Sequence, residues 1–372
     1  MNCEHFEICG GCQVKEDYIT QLQQKSQKFK ELFGFFPDEV FSSPETGFRA
    51  RAEFRLHREK LSNGEFGGKI SLSMNTFGKN ERIAIQNCPN LLPNVQKVIA
   101  KLPLYLEEKI LSHKLYAVNF LGGEEVIMTM IYHKNLDSLW QDQAKKLAQI
   151  LKISIIGRSR NQKIIIGTDL LSTKINIYQK ELFYLHQEGS FSQPNPFINR
   201  KMLNFVIQAI LPHHKKDLLE MYCGSGNFTI ALAPYFDKVF ATEVVKSALP
   251  LLEINAKNNG VKNLYSARLS GMESIEALSF KRDFFRLKHV DLKQFNFSHI
   301  LIDPPRSGIG DVKMLEFIQN FSVIVYISCN PFSLKKDLEV LLQSHRITKS
   351  AIFDQFPYTY HMECALILEK RF

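Results

Sequence analysis

No stretch of the 372 residues approaches the roughly 18 uncharged apolar residues of a membrane-spanning helix. The opening MNCEHFEICGG carries acids and cysteines where a secretory leader would show a basic and then an apolar region, so a cytoplasmic protein is expected. There is no internal repeat, which excludes a solenoid or propeller, and no low-complexity tract. Acid excess is also lacking: 47 Lys and Arg against 38 Asp and Glu leave a net charge of +9, which favours an anionic partner, nucleic acid first. Basic residues outnumber acidic ones in both halves, so charge alone locates no surface. What is abundant is apolar mass. A share of 45% with 29 Phe suffices for real cores, and this length accommodates two domains.

The polar, proline-bearing segment HQEGSFSQPNPFINR (186–200) reads as a linker between residues 1–190 and 191–372. Beyond it, strand-like runs (DLLEMY, KVFATE, NLYSARL, SHILID, SVIVYIS) alternate with helical ones such as ALPLLEINAKNNG. That alternation predicts a doubly wound α/β domain with a mostly parallel sheet. ITKSAIFDQF and MECALILEK are too close for an intervening helix and read as an antiparallel hairpin closing the sheet. The first half reads as α+β, opened by an amphipathic helix around Tyr18 to Phe33.

EMYCGSGNFT (220–229) sits between a strand and a helix, where a nucleotide-binding turn belongs. Gly224 and Gly226 permit a sharp turn and close approach to a ligand, although a structural turn has the same glycines. The third glycine of the dinucleotide fingerprint is missing, since Thr229 stands there, which counts against NAD. Glu243 ends the next strand, where a carboxylate can accept both ribose hydroxyls. A nucleoside without pyrophosphate fits, with S-adenosylmethionine as the leading candidate.

Asp303-Pro304-Pro305-Arg306 and Ser328-Cys329-Asn330-Pro331 end two further strands. Ligands of open α/β sheets lie beyond the strands' carboxyl ends, so Asp303 and Cys329 are expected to share the crevice of Gly224. Cys329 is either core filler or a nucleophile. Beside a methyl donor, a nucleophilic thiol has a specific use. Carbon 5 of uracil attacks a sulfonium methyl poorly until thiolate addition at carbon 6 makes an enolate. The methylated adduct must then lose its carbon-5 proton to a base before the thiol departs. Glu363 in TYHMECAL is either a solvated hairpin side chain or that base, with burial raising its pKa.

EMYCGSGNF, DPPRSG, YISCNP and FDQFPYTYHMEC together resemble the tRNA (uracil-5-)-methyltransferase family, which makes ribothymidine in the T loop. The likeness extends upstream through FRARAEFR, MTMIYHKNLD, IGRSRNQKI, SFSQPN and FFRLKHVDLK, nearly the whole chain. The resemblance implies a class I S-adenosylmethionine methyltransferase fold, Rossmann-like with a seven-stranded sheet, preceded by an α+β RNA-recognition domain. It implies Cys329 as nucleophile, Glu363 as proton acceptor and Arg306 as a holder of the base or enolate. It places Gln193, Tyr222, Asn227, Glu243 and Asp303 at the methyl donor, beside the glycines. RNA cytosine-5 enzymes place a second cysteine where Arg306 stands, and amine methyltransferases usually carry an aromatic there.

Cys3, Cys9 and Cys12 form C-x5-C-G-G-C, and Cys88 follows in NCPN. Four thiols in a reducing compartment point to metal rather than disulfides. The pattern resembles the [4Fe–4S] motif of the ribosomal-RNA uracil-5 methyltransferases and departs from many tRNA-specific relatives, while zinc also fits the count. FRARAEFRLHREK alternates with period two, putting Arg49, Arg51 and Arg55 on one face. Such a face is either a solvated edge or a phosphate-contacting strand. The expected partner is thus RNA, tRNA first and rRNA second, with the target uridine extruded from its stack and no obligate protein partner. A noncatalytic RNA-folding protein or an amine methyltransferase is the rival of a different class, and neither would need Cys329 paired with Glu363.

Overall fold

The computed structural model describes residues 3–60, 66–79, 81–107, 109–178 and 180–371. The chain opens with a cysteine-bearing segment and helix α1 (Tyr18–Phe33), capped by the Asp17 carboxylate, which accepts from the Thr20 amide at 3.0 Å. Gly34, with φ 85°, ends it in the left-handed conformation that glycine adopts freely. Tyr18, Gln21, Lys25 and Phe29 recur every three or four residues, so they share one face, and all four are buried. Strand β1 (Glu39–Phe41) follows.

Next comes a seven-stranded sheet with three helices: β2 (Arg51–Lys60), β3 (Phe66–Asn75), β4 (Arg82–Ile85), α2 (Pro93–Leu106), α3 (Lys109–Ser112), β5 (Leu115–Gly122), β6 (Val126–Tyr132), α4 (Ser138–Leu151), β7 (Ser154–Ser159) and β8 (Gln162–Ile166). Its order is β4-β3-β2-β5-β6-β7-β8, antiparallel except where α4 crosses over between the parallel pair β6 and β7. The expected alternation is present in and before β2: Phe48, Ala50, Ala52 and Phe54 are buried. The core here is built on Leu72, Val118, Met128, Met130 and the tryptophan, Trp140.

The hairpin of β9 (Leu170–Ile177) and β10 (Lys180–Gln187) leads into a short connection, residues 188–195. Then come α5 (Pro196–Ile210), β11 (Asp217–Met221), α6 (Asn227–Leu232), β12 (Val239–Glu243), α7 (Ala248–Asn258), β13 (Leu264–Arg268), α8 (Gly271–Leu278), β14 (Phe297–Ile302), α9 (Val312–Ile318), β15 (Val323–Ser328), α10 (Pro331–Leu341), β16 (His345–Phe353) and β17 (Glu363–Lys370). The sheet order is β1-β16-β17-β15-β14-β11-β12-β13, and β17 runs antiparallel to both neighbours, which is the closing hairpin. Helices cover both faces, so successive residues of one strand enter different cores. Leu218 joins Met202, Phe205 and Leu252, whereas Leu219 joins Phe29, Ile275 and Leu315. Strands buried on both sides read as continuous apolar runs, which is why they are visible in the sequence.

The sheet has eight strands rather than seven because β1 adds to its edge, parallel to β16 in the register Glu39–Ala351. α1 packs on the same body through Phe29, and Ile175, Ile177 and Tyr184 of the β9–β10 hairpin enter its other core. Segments from the first 190 residues therefore contribute to the second sheet.

Candidate functional site

Three features stop β15 at Cys329. Pro331 takes the first position of α10, the Asn330 side chain caps that helix by accepting from the Phe332 amide at 3.1 Å, and the Asn330 amide donates to Ser328 Oγ at 3.2 Å. In the β15–β17 register Ser328 faces Cys364, so the next position sets Cys329 opposite Glu363. On the other side of β15, its parallel neighbour β14 ends and hands on to Asp303-Pro304-Pro305-Arg306. That loop is fastened from behind. The Asp337 carboxylate accepts from the amides of Ile309 (2.7 Å) and Gly310 (3.0 Å) and from the Tyr326 hydroxyl (2.5 Å), and Asn330 Nδ2 donates to the Arg306 carbonyl at 2.8 Å.

The glycine-rich turn leaves β11 through Tyr222, whose φ of 64° is uncommon for a residue with a side chain. Gly224 and Gly226 also have positive φ, and a Cβ on Gly226 would run into Leu252. Glu243 holds this turn: its carboxylate accepts from the amides of Gly224 (3.0 Å), Val244 (2.8 Å) and Val245 (2.8 Å).

These pieces enclose a cavity of about 870 Å³ beyond the carboxyl ends of the strands. Gln193, Tyr222, Gly224, Glu243 and Asp303 line it, and so do Cys329, Arg306 and Glu363. Gly226 and Asn227 stand behind the wall, where Asn227 exchanges side-chain hydrogen bonds of 2.8 and 2.9 Å with Asn199. The Gln193 amide oxygen accepts from Gln355 at 2.5 Å, linking the connection to the loop before β17.

Electrostatically the site is short of positive charge. Burial, and then proximity to Asp303, push the Glu363 carboxyl well above the usual range, and burial raises Asp303 as well. The Cys329 thiol is pushed up to about 11, by burial first and then by Glu363 and Asp303, with Arg306 opposing. Beneath the turn lies a carboxyl that sequence reasoning missed, Glu220, raised to about 8 by burial, with a smaller push from Asp303. Phe191, Phe356 and His361 also line the cavity unforeseen, and no residue pattern announced them.

Cys3, Cys9, Cys12 and Cys88 line a second cavity, of about 380 Å³, together with Arg49, Arg51, Phe191 and Phe356. All four cysteines are free thiols. Burial raises Cys9 and Cys88 and pushes Cys12 up to about 12, with neighbouring cysteines adding to each. Among the described residues no three His, Cys, Asp or Glu side chains are grouped closely enough to hold a metal ion. Arg51 turns inward, donating to the Ser190 carbonyl and, at 3.2 Å, to Ser192 Oγ. Arg49 lies over the Phe356 ring at 5.8 Å, and Arg55 over the Tyr116 ring at 4.0 Å. Arg49 and Arg51 thus bind the connection and the loop that wall the larger cavity.

Comparison with known proteins bears on this arrangement. A tRNA/tmRNA (uracil-C(5))-methyltransferase of Helicobacter hepaticus is 46% identical over an alignment of 404 residues, spanning 100% of this chain and 99% of that protein. Its counterpart in Nitratiruptor is 42% identical over the whole of both chains. In fold, the chain is similar to the crystal structure of Pyrococcus abyssi tRNA (uracil-54, C5)-methyltransferase in complex with S-adenosyl-L-homocysteine. The TM-score is 0.72, with 21% identity, over 95% of this chain and 83% of that one. The sequence profile described as tRNA (Uracil-5-)-methyltransferase matches residues 17–371, and the chain belongs to that family.

Proposed function

We propose that this protein methylates carbon 5 of a uridine in tRNA, using S-adenosylmethionine, with the T loop as its target. The observation that carries the reading is the placement of Cys329 opposite Glu363, on the wall of the cavity that also holds Asp303 and the glycine-rich turn. The names of full-length relatives, tRNA/tmRNA (uracil-C(5))-methyltransferases, supply the substrate class.

The cavity suits the donor. Its volume lies within the range of small-molecule sites, and the Glu243 carboxylate, fixed on its wall by the Gly224, Val244 and Val245 amides, is an acceptor for ribose hydroxyls. Bound S-adenosylmethionine supplies an electrophilic methyl group on a cationic sulfur. Cys329 Sγ bonds to carbon 6 of the base, and the electron pair displaced from the 5,6 double bond makes carbon 5 nucleophilic. After carbon 5 has gained the methyl group, Glu363 accepts its proton, the double bond re-forms and the Cys329 thiolate leaves. Arg306 faces the same space and balances charge developing on the base oxygens.

Two subsidiary readings complete the proposal. Residues 1–190 recognise RNA and residues 191–372 catalyse. Within the first part Arg55, stacked on Tyr116, is better placed for RNA than Arg49 and Arg51, which are engaged internally. The four cysteines hold a [4Fe–4S] cluster, which spreads its thiolates more widely than a single zinc ion does. The support is that all four line one cavity as free thiols. Nothing in methyl transfer requires an electron, so such a cluster is structural. Iron, sulfide and zinc analysis of anaerobically purified protein tests the reading, and two or more cysteine substitutions should remove the metal. The activity is tested with labelled donor on an unmodified tRNA transcript, on one whose T-loop uridine is replaced, and on ribosomal RNA fragments. Methylation of the first alone is expected. Methylation of the ribosomal fragments alone would overturn the tRNA assignment.

A further inference from the structure

Cys329 belongs to two cavities. Together with Arg306, His361 and Met362 it lines the donor cavity on one side and, on the other, a cavity of about 440 Å³ between α1 and the start of α10. Two aromatic rings line the second cavity and remain open to solvent: Phe332, 56% exposed, and Tyr360, 72% exposed. Neither ring contributes to the cores. Phe332 occupies the second position of α10, where a polar residue would serve the helix as well, and Tyr360 immediately precedes His361 in the loop that delivers Glu363. Lys28, on the facing side of α1, places its ammonium 6.0 Å from the Phe332 ring centre. Its pair with Glu31, at 3.4 Å between two exposed side chains, holds it weakly.

This combination of exposed rings, a flexible cation and an adjoining cavity has a specific chemical use. A base that leaves its stack to reach a half-buried thiol exposes the faces of both neighbouring bases. Aromatic side chains recover that lost stacking, and a lysine beside them meets the phosphate that must bend. The position decides the occupant: the second cavity borders the one that must admit the target base, and the two share four lining residues, Cys329 among them.

We infer that Phe332 and Tyr360 form a stacking platform for the nucleotides flanking the extruded uridine, with Lys28 facing the intervening phosphate. The inference rests on the RNA-methylation reading above and adds to it the residues that receive the strand.

The test uses the full-length protein and a T-arm hairpin carrying 2-aminopurine, in turn, on each side of the target uridine. Stacking on a ring quenches the 2-aminopurine. Phe332→Leu and Tyr360→Leu keep apolar bulk but lose the ring face; each should abolish quenching on one side and raise KM for the hairpin by about 5- to 150-fold, the range that stacking of one base provides. Phe332→Trp and Tyr360→Phe should keep both properties. Lys28→Gln should raise KM and flatten its dependence on salt. Affinity for S-adenosylhomocysteine without RNA serves as the measure of an intact fold. Unaltered quenching and KM in both leucine variants, with wild-type protein methylating the hairpin, would overturn the platform and leave the proposed function standing. Wild-type protein that binds the hairpin but does not methylate it would overturn the function, while the quenching would still decide the platform.

Discussion

Cys329 follows Ser328 and Glu363 precedes Cys364, the last pair of the β15–β17 ladder, and both side chains line one cavity. The proposed nucleophile and the proposed base are thereby carried at the ends of adjacent strands. The order of events follows from this placement. In the proposed mechanism the thiol adds to carbon 6 and Glu363 takes the proton from carbon 5, so each step needs one of them.

Replacing Glu363 by Gln leaves thiol addition and methyl transfer possible but removes the proton acceptor. Turnover should fall by about 10²- to 10⁴-fold, the ordinary contribution of general-base catalysis. A protein–RNA species that survives denaturing electrophoresis should accumulate. Cys329→Ala should form no such species.

The raised Cys329 pKa has a direct consequence. Without ligands the thiol stays protonated at neutral pH, and its alkylation rate should climb with pH toward a midpoint near 11. A sulfonium charge brought into the donor cavity favours the thiolate, so S-adenosylmethionine should move that midpoint down. S-adenosylhomocysteine, which lacks the charge, should shift it less. Alkylation remains feasible with the donor site filled, because Cys329 also faces the second cavity. Identical profiles with the two ligands would show that the donor's charge does not reach the thiol.

Much of the catalytic body was legible in the sequence, because strands covered on both faces are uninterrupted apolar runs and the strand ends carry Asp303 and Cys329. β1 was not legible. Three residues set no periodicity, and their partner β16 lies more than 300 positions away. Glu220 escaped notice because a single carboxyl in an apolar strand looks like an exposed position, whereas here it is buried under the glycine-rich turn. The alternation around Arg49 and Arg51 is a pleat, with Phe48, Ala50, Ala52 and Phe54 on its buried face. Where their guanidinium groups end, on Ser190 and over Phe356, depends on loops that only the tertiary fold brings near.

Lys25 of α1 pairs with Asp354 at 2.6 Å, both side chains almost wholly buried, and it also donates to the Phe356 carbonyl at 3.2 Å. This pair fastens the loop before β17 to α1. Lys25→Met strands a buried carboxylate and should cost roughly 3–5 kcal/mol in urea unfolding. Adding Asp354→Leu should restore a large part of that loss. Equal unfolding midpoints for wild type and Lys25→Met would show that the pair contributes nothing.

Gly226 combines a φ of 94° with a Cβ direction blocked by Leu252. Gly226→Ala must therefore shift the turn that presents Gly224 to the donor cavity. Calorimetry should record at least a tenfold loss of S-adenosylhomocysteine affinity, corresponding to about 1.4 kcal/mol. Unchanged affinity would mean that the turn moves without touching the ligand.

The most direct test of the whole account uses a tRNA transcript with tritium at uracil carbon 5. Thiol-assisted methylation at that carbon must release one tritium for each methyl group gained, and only when S-adenosylmethionine is present. Wild-type protein should show this one-to-one stoichiometry, and Cys329→Ala should show neither release nor methylation. Methyl incorporation without tritium release, or methylation that persists in Cys329→Ala, would contradict it.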